Sequence, residues 1–326
     1  MSRTWLGLIL GLLLACAGSG PSPDAPIVRV TIPPGATLQA VADSLAARGV
    51  VRDARRFSVV ARLKGLERGL QAGIYDLRVG ERIDTVLAVL AEGRTASLRF
   101  TVPEGLTVSD LAALAESELR MPADSVIAAA RKLSQEGAIT GAGPVLEGYL
   151  FPDTYALPVG VTADQLVDRM VEGFGATWLP SWTDRLDTLR LTRHQLVTLA
   201  SIVEGEARLD GERRTIAGVY HNRLRRRMPL QADPTVQYAI ELATGERPGR
   251  LYLKDYRFPS AYNTYLHPGL PPGPVSSPGR ASIEAALYPA DVPYLFFVAR
   301  GDGSHEFNTT YRDHVNAINR IRGPQD

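Results

Sequence analysis

Apolar and polar positions along the chain follow two rhythms. Apolar residues spaced three and four apart predict helices over residues 38–48, 54–64, 83–92, 108–116 and 123–132, then over 163–174, 193–207, 211–226 and 308–321. Short β-branched and aromatic runs predict strands leading into Pro33, over 73–77 and 96–102, and at 294–300, where YLFFVAR is apolar enough for a buried strand. Between residues 247 and 278 both rhythms stop. The run YNTYLHPGLPPGPVSSPG excludes a long helix or central strand, because each proline fixes φ and removes a backbone donor. A long irregular stretch inside a domain is usually functional or disordered, and Tyr262 and Tyr265 argue for order. The element order reads as an α+β chain: an N-terminal β/α region followed by a mixed α/β domain.

One segment recurs. VTIPPGATLQAVADSL (30–45) is echoed by FTVPEGLTVSDLAALA (100–115), with Thr31, Pro33, Gly35, Thr37 and Ala42 matching Thr101, Pro103, Gly105, Thr107 and Ala112. Each copy is a strand, a Pro-x-Gly turn, a threonine in the N-cap position and an apolar helix face. A strand-helix-helix-strand unit of this size resembles a LysM-type module, a fold that binds N-acetylglucosamine polymers; the other reading is a pair of packing units in a spacer domain. The Gly-rich EGAITGAGP (136–144) marks the expected boundary, giving a LysM-like region over 28–145 and a second domain over 146–326.

The N-terminus has a different character. In MSRTWLGLILGLLLAC (1–16) a basic Arg3 precedes an apolar run and a small residue before Cys16, the pattern of a secretion signal or short anchor. The run is too short to cross a hydrocarbon core of roughly 30 Å. LLAC resembles the lipobox of bacterial lipoproteins, which implies a diacylated Cys16 as lipid anchor; the alternative is an incidental thiol in a plain signal peptide. Residues 17–27 read as a tether. With one cysteine, no internal disulfide forms. Lys plus Arg number 36 against 35 for Asp plus Glu, so no general attraction to nucleic acid or acidic lipid is expected.

Within the second domain, Glu204 follows nine uncharged residues, 195–203, on the expected helix 193–207. Leu196, Leu199, Ala200 and Val203 form one stripe and Glu204 flanks it, near the helix C-terminus. An apolar setting and the negative end of the helix dipole both disfavour its ionised form, which suits a general acid for glycosidic cleavage. The plainer reading is an ion pair with Arg208, Arg213 or Arg214.

Six segments in order, GYLFPDTY (148–155), LASIVEGEA (199–207), VYHNRL (219–224), LQADPTVQYA (230–239), YNTYLHPGLPPGPVSSPG (262–279) and HEFNTTY (305–311), resemble the MltG (YceG-like) family of endolytic murein transglycosylases. The resemblance runs from about Val28 to the C-terminus. It implies a LysM-like module before a catalytic domain that cuts nascent peptidoglycan strands internally. The family's catalytic glutamate closes the ASIVE motif, here Glu204. Segments similar to those lining its glycan groove carry over as Gln231, Asp233, Thr235, Tyr262, Asn263, Thr264, Phe307 and Asn308. Family members are ordinarily held by a full transmembrane helix, from which this chain departs. A catalytic domain outside the cytoplasm, on the periplasmic face of the inner membrane and beside peptidoglycan synthases, is what the resemblance implies.

A lytic transglycosylase manages with one carboxyl, whereas a hydrolase needs two, for which Asp153, Asp233 and Glu306 are the candidates. Dipoles for the cationic transition state would come from Asn263, Tyr262 and Gln231. The five histidines, His194, His221, His267, His305 and His314, lie far apart without a ligand-pair motif, and no phosphate loop, nucleophile elbow or dinucleotide fingerprint occurs, so neither metal nor organic cofactor is expected. The rival from another class is a non-catalytic scaffold that binds peptidoglycan.

Overall fold

The computed structural model describes residues 20–22, 24–139 and 143–323; the signal segment and Cys16 lie outside the described residues. The chain forms two compact units, one of residues 1–99 and 156–161, the other of residues 100–155 and 162–326. Each is a mixture of helices and two-stranded sheets, so the α+β expectation holds.

In the first unit, β1 (Ile27–Ile32) pairs antiparallel with β2 (Gly73–Arg78), setting Val28 opposite Leu77 and Val30 opposite Tyr75. The period-two alternation turns Val30 and Ile32 inward, as it does Tyr75 and Leu77. Between the strands run α1 (Leu38–Ala47), capped by Thr37, and α2 (Ala54–Leu63), whose first amides at Arg55 and Arg56 donate to the Asp53 carboxylate. With α3 (Ile83–Ala91) they close a core around Leu45, Phe57, Tyr75 and Leu87. The strands β3 (Ser97–Thr101) and β4 (Thr154–Pro158) pair with each other where the chain leaves this unit and returns.

The second unit holds α4 (Val108–Leu119), α5 (Ala123–Gln135), α6 (Ala163–Thr177), α7 (Pro180–Leu189), α8 (Arg193–Glu206), α9 (Arg213–Arg225), α10 (Asp233–Thr244), α11 (Arg280–Leu287), the hairpin β5 (Phe296–Ala299) and β6 (His305–Asn308), and α12 (Tyr311–Arg322). At its centre is α8, packed against α7, α9, α10 and α11. Among the described residues no helix is long and apolar enough to cross a membrane.

The second copy of the repeat belongs to this unit, so the units separate at residue 99 and not at the Gly-rich run 136–144. Hydrogen bonds explain why. Gly105 N–H donates to the Ser277 carbonyl and Ser277 N–H to the Leu106 carbonyl, both at 2.8 Å, and Thr107 donates to the buried Glu241 at 2.7 Å. The final helix starts at Tyr311, capped by Thr310, because Asn308 pairs with Phe296 in β6. The expected helix 211–226 is a 3-10 turn, Asp210–Glu212, followed by α9. Three helices escaped the pattern: α7 and α10 open on prolines, which read as turns but occupy the first helical turn, and α11 has only eight residues.

Candidate active site

The site is assembled around the last turn of α8. Thr192 and Gln195 form a capping box at its start, and every residue from Leu196 to Val203 is buried, so the single stripe read from the sequence is in fact an all-round apolar surface. Its hydroxyls serve the backbone. Ser201 Oγ donates to the Thr198 carbonyl at 2.8 Å and accepts the Val275 N–H at 3.0 Å, which ties the Pro-rich loop along the helix. Four residues later that loop reaches Gly279, the N-cap of α11.

Glu204 lies where these elements meet. Its Oε2 accepts the Gly279 N–H at 3.0 Å and its Oε1 lies 3.3 Å from Arg213 Nη2, leaving 7% of the side chain exposed. Of the three arginines expected as partners, Arg213 is the one used; Arg214 donates instead to the Tyr288 carbonyl at 2.7 Å. Arg213 also pairs with Asp210, donates through Nε to Ser282 Oγ at 3.1 Å, and stands 3.9 Å from Glu104. One guanidinium thus faces three carboxyls.

Glu104 is the residue that the sequence reading missed. It occupies the turn after β3, where the first copy of the repeat has Pro34, and the charge at that position was the available signal. Gly105 takes φ 81°, a left-handed value that favours glycine, and its α-carbon faces the Glu204 side chain. Burial, and then the charge of Glu204, push the Glu104 carboxyl above its ordinary pKa, with Arg213 opposing. With 45% of its side chain exposed, Glu104 opens onto a cavity of about 690 Å³, which Asp210, Arg213, Arg214, Glu284 and Tyr288 also line. Its neighbours therefore supply both signs of charge.

Residues two apart on a helix face away from each other. Glu206 accordingly turns from Glu204 toward a second cavity of about 290 Å³, accepting the Tyr220 hydroxyl at 3.0 Å. Burial, and then the charge of Asp233, raise Glu206 to about 7. Gln231 and Asp233 line this cavity, and Asp233 accepts the Tyr265 hydroxyl at 2.7 Å. Thr235, Asn263 and Thr264 are buried and spend their polar atoms inside the protein. Thr235 Oγ1 donates to the Ala232 carbonyl at 2.6 Å; Thr264 Oγ1 accepts the Ala232 N–H at 3.0 Å; Asn263 Nδ2 donates to the Tyr256 and Phe258 carbonyls. Tyr262 stacks edge-on to Tyr238 at 5.0 Å, while Phe307 pairs with Tyr294 and Phe297 and Asn308 closes the β5–β6 hairpin. The structure therefore groups Gln231 with Asp233, and sets them apart from the cavity that Glu104 and Arg213 line.

The three carboxyls read as possible second acids have other engagements. Asp153 caps its own turn through the Thr154 N–H at 2.6 Å, Asp233 holds Tyr265, and Glu306 lies between Arg300 and Arg320, which hold it below the usual carboxylate range. Among the described residues, Glu104 and Asp210 share Arg213 with Glu204, and no group of three His, Cys, Asp or Glu residues could hold a metal ion.

Comparison with known proteins gives a consistent picture. An endolytic murein transglycosylase of Bacillus subtilis is 33% identical over 306 residues, covering 89% of this chain and 83% of that protein. One from Streptococcus pneumoniae is 31% identical over 302 residues, covering 83% of this chain and 54% of the relative, so the chain spans about half of that protein's length. The crystal structure of a YceG-like protein from Listeria monocytogenes aligns with a TM-score of 0.61 at 30% identity, covering 90% of this chain and 99% of that one. Residues 30–320 match the sequence model of the YceG-like family. With nine-tenths of its length accounted for in this way, the chain belongs to the YceG-like family.

Proposed function

We propose that this protein is an endolytic murein transglycosylase that cuts the β-1,4 bond between N-acetylmuramic acid and N-acetylglucosamine within a glycan strand and leaves a 1,6-anhydro end. The observation that carries the reading is Glu204: a carboxyl that follows a fully buried helical run, held by the Gly279 amide and by Arg213, which itself lines an open cavity, in a chain one-third identical to a protein of that name. Glu204 gives its proton to the glycosidic oxygen as the C1–O bond breaks, the electron pair going to that oxygen. The muramic 6-hydroxyl then bonds to C1 and returns its proton to Glu204, so no water enters and the acid is regenerated.

The first unit, a strand-helix-helix-strand arrangement, acts in this reading as a LysM-like module that holds the strand, and the cavity lined by Gln231 and Asp233 takes a more distant sugar. The chain works at the outer face of the inner membrane, held through its N-terminus by lipid on Cys16 or by the apolar segment, beside peptidoglycan synthases. Extraction of a Cys16→Ser variant from membranes separates the two anchors. For the chemistry, un-crosslinked glycan digested with wild type and with Glu204→Gln is analysed by mass spectrometry for anhydro-muropeptides. Wild type yields them and the variant falls by at least the ~10²–10⁴-fold that acid–base catalysis supplies. Equal product from both, or none from either, removes the reading and leaves the scaffold.

A further inference from the structure

We propose that Glu104 is a second carboxyl of the reaction centre: an anion that faces C1 of the muramic acid while it carries positive charge, beside the Glu204 that moves the proton. The proposal rests on the transglycosylase reading above and adds to it.

Four observations converge. The turn carrying Glu104 is locked to the loop carrying Gly279 by the paired hydrogen bonds of Gly105 and Leu106 with Ser277. A β-carbon on Gly279 would overlap the Glu104 carboxyl, so the glycine leaves room for that carboxyl directly above the amide that Glu204 accepts. Arg213 reaches both acids, at 3.3 Å for Glu204 and 3.9 Å for Glu104. Lastly, the two differ in access: Glu204 is 7% exposed and Glu104 45%, and Glu104 is the one that lines the 690 Å³ cavity.

Glu204 and Glu104 thus give the centre two carboxyls, one to act as the acid and one as the anion. Glycosidic cleavage needs both. The bond breaks when the leaving oxygen is protonated, and the sugar left behind is oxocarbenium-like, so a fixed negative charge facing it lowers the barrier. Asn263 and Thr264, read from the sequence as groove residues, are committed to the loop's own backbone and to the Ala232 N–H respectively, and Tyr262 and Gln231 lie outside this cavity. Glu104 exchanges no atom: the proton leaves Glu204 for the glycosidic oxygen and returns to Glu204 from the 6-hydroxyl, and the charge at 104 is constant throughout.

The charged groups around Glu104 are Glu204 on α8, Asp210 in the 3-10 turn before α9, Arg213 and Arg214 at the start of α9, and Glu284 on α11.

The test uses the full chain and un-crosslinked glycan, with wild type, Glu104→Gln, Glu104→Asp and Glu204→Gln compared for anhydro-product formation, kcat, KM and thermal midpoint. Glu104→Gln is expected to lower kcat roughly 10²-fold with KM within about threefold, while melting like wild type. Glu104→Asp recovers part of kcat. If Glu104→Gln keeps wild-type kcat while Glu204→Gln is inactive, the inference is wrong and the transglycosylase reading stands. If wild type releases no anhydro ends, the reading and the inference fall together.

Discussion

The Glu104 carboxyl fills the volume that a side chain at Gly279 would need. Gly279 adopts φ −74°, open to any residue, so space and not backbone freedom requires glycine there. A Gly279→Ala substitution therefore pushes the flexible end of Glu104 aside and leaves the chain path intact. Stability should change by less than about 1 kcal/mol, while glycan cleavage drops by roughly 10²-fold, the usual cost of misplacing a group in a preorganised centre. Parallel thermal melts and anhydro-product assays check the two halves of this expectation.

Arg213 is placed against Glu204, Glu104 and Asp210 together. Replacing it with methionine keeps the stem and strands a carboxylate of 7% exposure. Breaking a buried pair from one side costs about 3–5 kcal/mol, and the exposure of Glu104 and Asp210 places this case near the lower figure. The sign with pH follows from the charge removed. Arg213 opposes the rise that burial and the Glu204 charge impose on Glu104, so without it the folded variant holds a proton on Glu104 more tightly, and its deficit relative to wild type grows as pH rises through the carboxylate range. Urea unfolding of both proteins at pH 5 and pH 7.5 should show the larger gap at pH 7.5; an equal gap would mean that Arg213 does not neutralise these acids.

How much of this was legible in the sequence depends on whether the cause was local. Thr37, Thr107 and the turn glycines Gly35 and Gly105 were readable because a cap and a left-handed turn are specified within a few residues. The buried run before Glu204 was readable from its missing charges. The allegiance of the second copy was not, since it depends on Ser277 and Glu241, more than a hundred residues away. The same holds for Glu104, whose meaning comes from a loop that pattern reading could describe only as irregular. Thr235, Asn263 and Thr264 stand within recognisable motifs, yet a motif does not reveal that their polar atoms are consumed by neighbouring backbone.

Two desolvated acids, the buried Glu147 and the part-buried Glu206, make stability depend on pH in the opposite sense to ordinary acid denaturation. Burial raises Glu147 from 4.5 to about 8, with the charge of Glu241 adding to it and the Val108 N–H and Tyr238 hydroxyl opposing. Glu206 rises to about 7 for the reason given above. A carboxyl raised on folding binds more protons folded than unfolded, so its contribution is complete below the unfolded value and is lost as pH climbs toward the folded one. The window runs from 4.5 to about 7 for Glu206 and to about 8 for Glu147. Each group lowers stability by at most about 1.4 kcal/mol per pH unit within it. Denaturant midpoints should fall from pH 5 to pH 8, and Glu147→Gln, which keeps an acceptor for Val108 and Tyr238, should flatten that fall.

The repeat offers a comparison of one cap in two settings. Thr37 is exposed and accepts the Ala40 N–H at 3.2 Å. Thr107 is buried, accepts the Asp110 N–H at 3.1 Å and donates to Glu241 at 2.7 Å. Losing a threonine cap costs about 0.5–2 kcal/mol, and Thr37→Ala should cost no more than that. Thr107→Ala removes the same cap and also leaves a buried carboxylate short of a donor, which adds about 1–3 kcal/mol. Thr107→Ser keeps the hydroxyl and should recover most of the loss. The probes must differ, because the two residues sit in separate compact units that need not unfold together. Trp178 and Trp182 both belong to the second unit, so tryptophan fluorescence follows Thr107 variants and leaves Thr37→Ala to far-UV circular dichroism. Equal losses from the two alanine variants would show that the Glu241 link contributes nothing, and that the second copy's place in the catalytic unit is held by the Ser277 clamp alone.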